Sequence, residues 1–132
     1  MKHPAPSNRG LIIITVVGLL LCVAQAESAR KIRLPPPGKS IHIEGELHGI
    51  ADHKKFVFWG TLGTKVRIEL SGAGPLRGEV MFPASGKHEG SPGGVILDRL
   101  LTESGRYQLE ISESSMGESW EGRFKISISV AQ

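Results

Sequence analysis

Apolar and polar residues alternate with period two along most of the chain, the signature of half-buried β-strands. Ile41, Ile43 and Leu47 fall on one side of an extended segment, and His42, Glu44, Glu46 and His48 fall on the other. Phe56 and Phe58 form the next apolar pair, with a tight connection at Gly60-Thr61-Leu62-Gly63. Val66, Ile68 and Leu70 then alternate with Lys65, Arg67 and Glu69, up to a break at Gly72-Ala73-Gly74-Pro75. Glu79 to Phe82 reads as a short strand closed by Pro83, and Ala84 to Gly94 as a glycine-rich loop. Val95 to Leu101 resumes the sheet, and Glu103-Ser104-Gly105 turns it into Tyr107, Leu109 and Ile111. A polar loop from Glu113 to Gly122 precedes the last strand, which carries Phe124, Ile126, Ile128 and Val130. Ahead of these, Arg30 to Leu34 reads as a short edge strand, stopped by Pro35-Pro36-Pro37-Gly38 because proline lacks a donor and locks φ. No window carries a helical period after the first 26 residues or so. About seven or eight short strands between turn signals predict an all-β fold, an antiparallel β-sandwich of jelly-roll type. Each strand gives its apolar residues to one face, as two sheets sharing one core require.

The start of the chain is built differently. Lys2 and Arg9 precede an apolar run from Leu11 to Ala24, and Ala24-Gln25-Ala26 supplies small residues before Glu27. These are the three regions of a secretory signal peptide in order. The run is about 14 residues, against the roughly 20 of a bilayer-spanning helix. The expected organisation is a cleaved leader over 1–26, a lead-in with an edge strand over 27–38, and the sandwich over 39–132. The product is expected in the periplasm or secreted, touching the membrane only during export. Cleavage removes Lys2, Arg9 and the only cysteine, Cys22, and lowers the formal charge from +3 by two. A nearly neutral domain has no global field to attract nucleic acid, and without cysteine its stability rests on the apolar core.

Candidate chemistry adds little. His42, Glu44, Glu46 and His48 are metal-ligating types in a row, but the two histidines lie about 20 Å apart along an extended strand, while zinc ligands sit about 2 Å from the ion. The row reads as a solvated face, and neither metal nor cofactor is expected. Gly117-Glu118-Ser119-Trp120-Glu121 lacks the closing glycine of a nucleophile elbow and lies between strands. Gly38-Lys39-Ser40 lacks the first glycine of a phosphate-binding loop. Glu113, Glu118 and Glu121 share a Ser- and Gly-rich stretch that reads as solvated, a poor place to raise a carboxyl pKa. Lys54, Lys55, Phe56, Phe58 and Trp59 superficially mix bases with aromatics, yet the phenylalanines have core spacing. These readings favour a non-enzymatic binding module over an enzyme. Met116 and Trp120 stand in a polar loop, where the tryptophan is either an interface anchor or a lid on the sandwich edge. The turn Ser104-Gly105-Arg106-Tyr107 presents a tyrosine that is either an exposed contact or, by its alternation with Leu109 and Ile111, a core-margin residue.

Gly45-x-Leu47-x-Gly49, Asp52, Phe56-x-Phe58, Gly63, Val66-x-Ile68-x-Leu70, Pro83-x-x-Gly86, Ser104-Gly105-x-Tyr107-x-Leu109 and Phe124-x-Ile126 together resemble a pre-peptidase C-terminal (PPC-like) domain, a β-sandwich of bacterial exported proteins. The resemblance covers Lys39 to Val130, mostly core and turn positions, so it bears on fold more than on function. A free-standing exported copy is similar to the bacterial periplasmic inhibitors of invertebrate-type and goose-type lysozymes. That likeness implies a protein partner, a peptidoglycan-cleaving lysozyme, met by Ser104, Gly105, Arg106 and Tyr107 as an element entering the enzyme's cleft. Those inhibitors also carry an arginine eight or nine residues after the tyrosine, where this chain has Ser115 and Met116. The residues by themselves also allow a module that binds another protein or cell-wall glycan.

Overall fold

The computed structural model describes residues 29–114 and 119–132. The expected leader, and with it the cleavage site, lies outside the described residues, as does Met116. The described chain forms nine strands and no helix: β1 (Arg30–Ile32), β2 (Ser40–His48), β3 (Lys54–Gly60), β4 (Lys65–Gly72), β5 (Leu76–Met81), β6 (His88–Ser91), β7 (Gly94–Leu100), β8 (Gly105–Glu113) and β9 (Glu121–Val130). They make two sheets, one in the order β1-β3-β8-β5-β6 and the other β2-β9-β4-β7. The all-β sandwich read from the alternation is therefore the observed architecture.

The count exceeds the expected seven or eight because β6 lies inside the stretch read as a glycine-rich loop. Its sequence, His-Glu-Gly-Ser, has no apolar alternation to reveal it, and it forms by pairing with β5 from Gly78↔Ser91 to Met81↔His88. Every pairing is antiparallel except that of β1, which lies parallel on β3. From β1 the chain crosses to the other sheet through the prolines. Pro35 is buried at the crossing, and a residue without an N–H leaves no donor unpaired there. Gly38 N–H then bonds Val130 O and leads into β2.

The core is the space between the sheets. Phe56, Phe58, Leu76, Val80, Phe82, Tyr107, Leu109 and Ile111 come from one, and Ile43, Leu47, Val66, Ile68, Leu70, Phe124, Ile126 and Ile128 from the other, all buried. A bulge in the β4–β7 pairing at Ile68/Glu69 breaks the strict alternation, and both Ile96 and Leu97 are buried there. The His42–Glu44–Glu46–His48 row stands on the exposed face of β2, as expected. Glu113 departs from expectation. It ends β8, is buried, and accepts Trp120 N–H at 2.8 Å, so its surroundings are not those of a solvated loop.

Candidate functional site

Three connections meet at one end of the sandwich: β3–β4 with Thr61 to Thr64, β5–β6 with Phe82 to Lys87, and β7–β8 with Leu101 to Ser104. Each leaves backbone donors that its own strand cannot satisfy, and the end is held together by how they are met. Gly63 N–H bonds Leu101 O at 2.8 Å, and Leu101 N–H bonds Thr64 O at 2.8 Å. Leu62 N–H donates to Ser104 Oγ at 2.8 Å, joining the first and third connections a second time. Glu103 joins the third to the second: its carboxylate accepts the N–H groups of Ala84 at 2.7 Å and Ser85 at 2.9 Å, and the Ser85 hydroxyl. The Ser85 hydroxyl and amide hold this carboxyl below the usual range, with Ala84 N–H and the Lys87 charge adding to the effect.

Tyr107 supports this platform from below. It is fully buried, its ring stacked on Phe58 at 5.2 Å and tilted against Phe82 at the same 5.2 Å. Its hydroxyl donates to Glu103 O at 2.7 Å. Burial pushes the phenol above its ordinary value, so at neutral pH it is a donor. Gly105 makes the turn possible: its φ is +147°, and a Cβ there would lie 2.9 Å from Pro83 Cβ. Of the Ser104–Tyr107 element, then, Ser104 and Arg106 are exposed, Gly105 is the hinge, and Tyr107 is a core residue.

What the platform presents outward was not read from the sequence. Leu62 is 62% exposed and Leu100 57%, and the two flank the bonded pair of loops. Leu62 sits in a turn where no period marks it. Arg99 and Lys87 approach the Phe82 ring at 5.6 and 6.0 Å, and both pair with the Glu89 carboxylate.

Trp120 stands elsewhere. Gly105 and Glu113 are the two ends of β8, roughly 27 Å apart at about 3.4 Å per residue, and Trp120 is bonded to the Glu113 end. It is half-buried against the core, over a shelf of two glycines. A Cβ on Gly74 would fall 2.0 Å from its indole, and one on Gly122 2.3 Å. Of the two alternatives, the geometry is that of a lid on the sandwich edge. The exposed tryptophan is Trp59, at 69%, on the outer face of β3 opposite Arg106. Alternation with the inward Phe56 and Phe58 places it there.

The fold is shared with known proteins. The periplasmic inhibitor of g-type lysozyme PliG from Salmonella Typhimurium superposes with a TM-score of 0.59 at 16% identity, over 78% of this chain and 99% of that one. PliG from Aeromonas hydrophila gives 0.58 at 12% identity, again over 78% and 99%. A pre-peptidase C-terminal domain of a Bacillus anthracis collagenase gives 0.53 at 18% identity, over 80% and 97%. No family model and no curated protein matches the sequence. The architecture implied by the sequence resemblance is thus the one observed, in both its PPC-like and its free-standing inhibitor forms.

Proposed function

We propose that this chain is an exported, non-enzymatic binding module that inhibits a peptidoglycan-cleaving lysozyme by docking its Ser104 end against the enzyme. The observation that most supports this is the construction of that end. Two exposed leucines, Leu62 and Leu100, flank a turn whose backbone is fixed by Ser104, Glu103 and the buried Tyr107. A turn braced in this way, with exposed leucines and Arg106 beside it, suits docking into a partner's cleft, because little conformational entropy is lost on binding. Its titratable groups are spent on structure: Glu103 holds a loop and Tyr107 holds Glu103 O. The likeness to inhibitors of g-type lysozyme selects the goose type as the first partner to try.

Ser104, Arg106, Leu62 and Leu100 form the contact in this reading, while the buried Gly105 shapes the turn and Tyr107 is a positioning residue. Trp120 closes the far end of the sandwich and lies outside the contact. The test is inhibition of a purified goose-type lysozyme on a suspension of bacterial cell walls, repeated with an invertebrate-type and a chicken-type enzyme. Dose-dependent inhibition of the goose-type enzyme, with weaker effect on the others, is expected. Full activity of all three at saturating inhibitor rejects the proposal.

A further inference from the structure

Apart from Arg106, the outer face of the β1-β3-β8 sheet takes no part in the proposed loop-end contact. Parallel and antiparallel register place Lys31, Val57 and Gln108 side by side across three strands, with Trp59 and Arg106 paired one step along and Lys55 one step back. Val57 is buried and forms a floor, Trp59 is the most exposed of the large apolar side chains, and Lys31, Lys55 and Arg106 are exposed. Lys31, Ile32, Val57, Phe58, Trp59 and Arg106 line a groove of about 300 Å³. Among the described residues, none of these three cations has an ion-pair partner, whereas Glu110, the carboxylate opposite Lys55, is taken by His53 at 2.6 Å. Lys31 and Arg106 thus share a groove with the exposed indole, and Lys55 lies further back along β3 beside Glu110.

From this face we infer that the protein carries a second binding site, for a glycan bearing carboxylate groups, of which peptidoglycan is the exported-compartment example. The negative face of an indole attracts the C–H groups on one side of a sugar ring. Arg106 and Lys31 line the same groove as the indole, where the carboxylates of a stem peptide carried by the glycan can pair with them, and Arg106 can engage one with two parallel bonds. Gln108 supplies both a donor and an acceptor for hydroxyl or acetamido groups. The alternatives fit less of the face. A membrane surface requires a broad exposed apolar stripe, and among the described residues of this face Trp59 is the one exposed large apolar side chain. A protein hot spot gathers several apolar anchors, and the exposed leucines of this end lie off this face, Leu62 in the β3–β4 connection and Leu100 on β7 of the other sheet. The inference shares Arg106 with the proposed lysozyme contact and otherwise rests on the sheet face, so substitutions at Trp59 and Lys31, outside that contact, and at Leu62, outside the face, separate the two readings.

The experiment is co-sedimentation of the exported protein with insoluble peptidoglycan, with chitin, whose N-acetylated backbone has no carboxylates, as the neutral comparator. Retention on peptidoglycan is expected to saturate, to weaken as salt rises, and to exceed that on chitin at least tenfold. Trp59→Ala and Lys31→Glu should each lower it at least tenfold while keeping the wild-type melting transition, since both side chains are exposed. Leu62→Asp, which disables the proposed lysozyme contact, should bind peptidoglycan as wild type does. The inference is overturned by no retention, by equal retention on chitin, or by wild-type retention of the Trp59→Ala protein. Equal binding to vesicles of anionic phospholipid that compete with peptidoglycan overturns it too, assigning the face to membranes. Loss of lysozyme inhibition in Trp59→Ala with peptidoglycan binding intact also does so, placing the indole in the protein interface.

Discussion

The Tyr107 phenol and the Glu103 carboxylate hold one turn by different bonds, and substitution should separate their contributions. Tyr107→Phe removes only the bond to Glu103 O and should cost about 1 kcal/mol, the net worth of a hydrogen bond of this kind. Tyr107→Ala also removes a ring packed against Phe58 and Phe82 and should cost about 3 kcal/mol or more. In both, inhibition per folded molecule is expected to fall by only a few-fold, the cost of a less rigid turn, which melting curves and inhibition constants on the same preparations will show. A thirtyfold loss of inhibition in fully folded Tyr107→Ala would make the side chain a direct contact instead. Glu103 predicts a pH effect. Its folded pKa lies below the ordinary 4.5, so what it contributes to loop anchoring is present above that value and is lost as pH falls through the depressed one. Hydrogen exchange at Ala84 and Ser85 should therefore accelerate as pH falls below about 4.5, beyond the intrinsic change, and Glu103→Ala should already show it at pH 7. Tyr107's place was half legible: its alternation with Leu109 and Ile111 gave the inward face, while Ser-Gly-x-Tyr drew attention to it as a contact. Glu103 gave no sequence signal, because its partners lie about 18 residues upstream in another loop.

At the scale of elements, β8 links the two ends of the sandwich, and each end is closed by a carboxylate accepting a backbone N–H. At the far end this is Glu113. Its Oε1 accepts from Trp120, while Oε2 is buried with no hydrogen-bond partner among the described residues. Glu113→Ala should cost about 1–2 kcal/mol by orphaning the Trp120 N–H, and Glu113→Gln, which keeps the acceptor, should cost less. Chemical denaturation of the two variants checks the order; equal losses would mean that the carboxylate's role is not the bond to Trp120. Strands with strict alternation were legible because each buries one face, which a one-residue slip would expose. β6 was not, since it is held by pairing to β5 alone. Glu113 was misplaced for a related reason: it closes a nine-residue strand whose last turn of alternation looks polar in sequence.

For the whole molecule, the leader expected over 1–26 and the sandwich make separate claims. N-terminal sequencing of the protein recovered from the periplasm or medium should begin at Glu27; a chain still carrying Leu11 to Leu21 would indicate a retained anchor. The sandwich was readable because period two, turn residues and core spacing all agree on it. The partner was not, because a binding surface depends on what the loops bring together, and Leu62, Leu100 and Ser104 converge only once three connections are bonded. The central claim is that this convergence is an inhibitor's contact. Its most direct measurement is the inhibition constant against a goose-type lysozyme for wild type and for Leu62→Asp, a change at an exposed position that should leave the fold intact. A loss of about 2 kcal/mol or more, roughly thirtyfold, with an unchanged melting curve is the predicted result. Equal inhibition by the two proteins, or none by wild type, would contradict it.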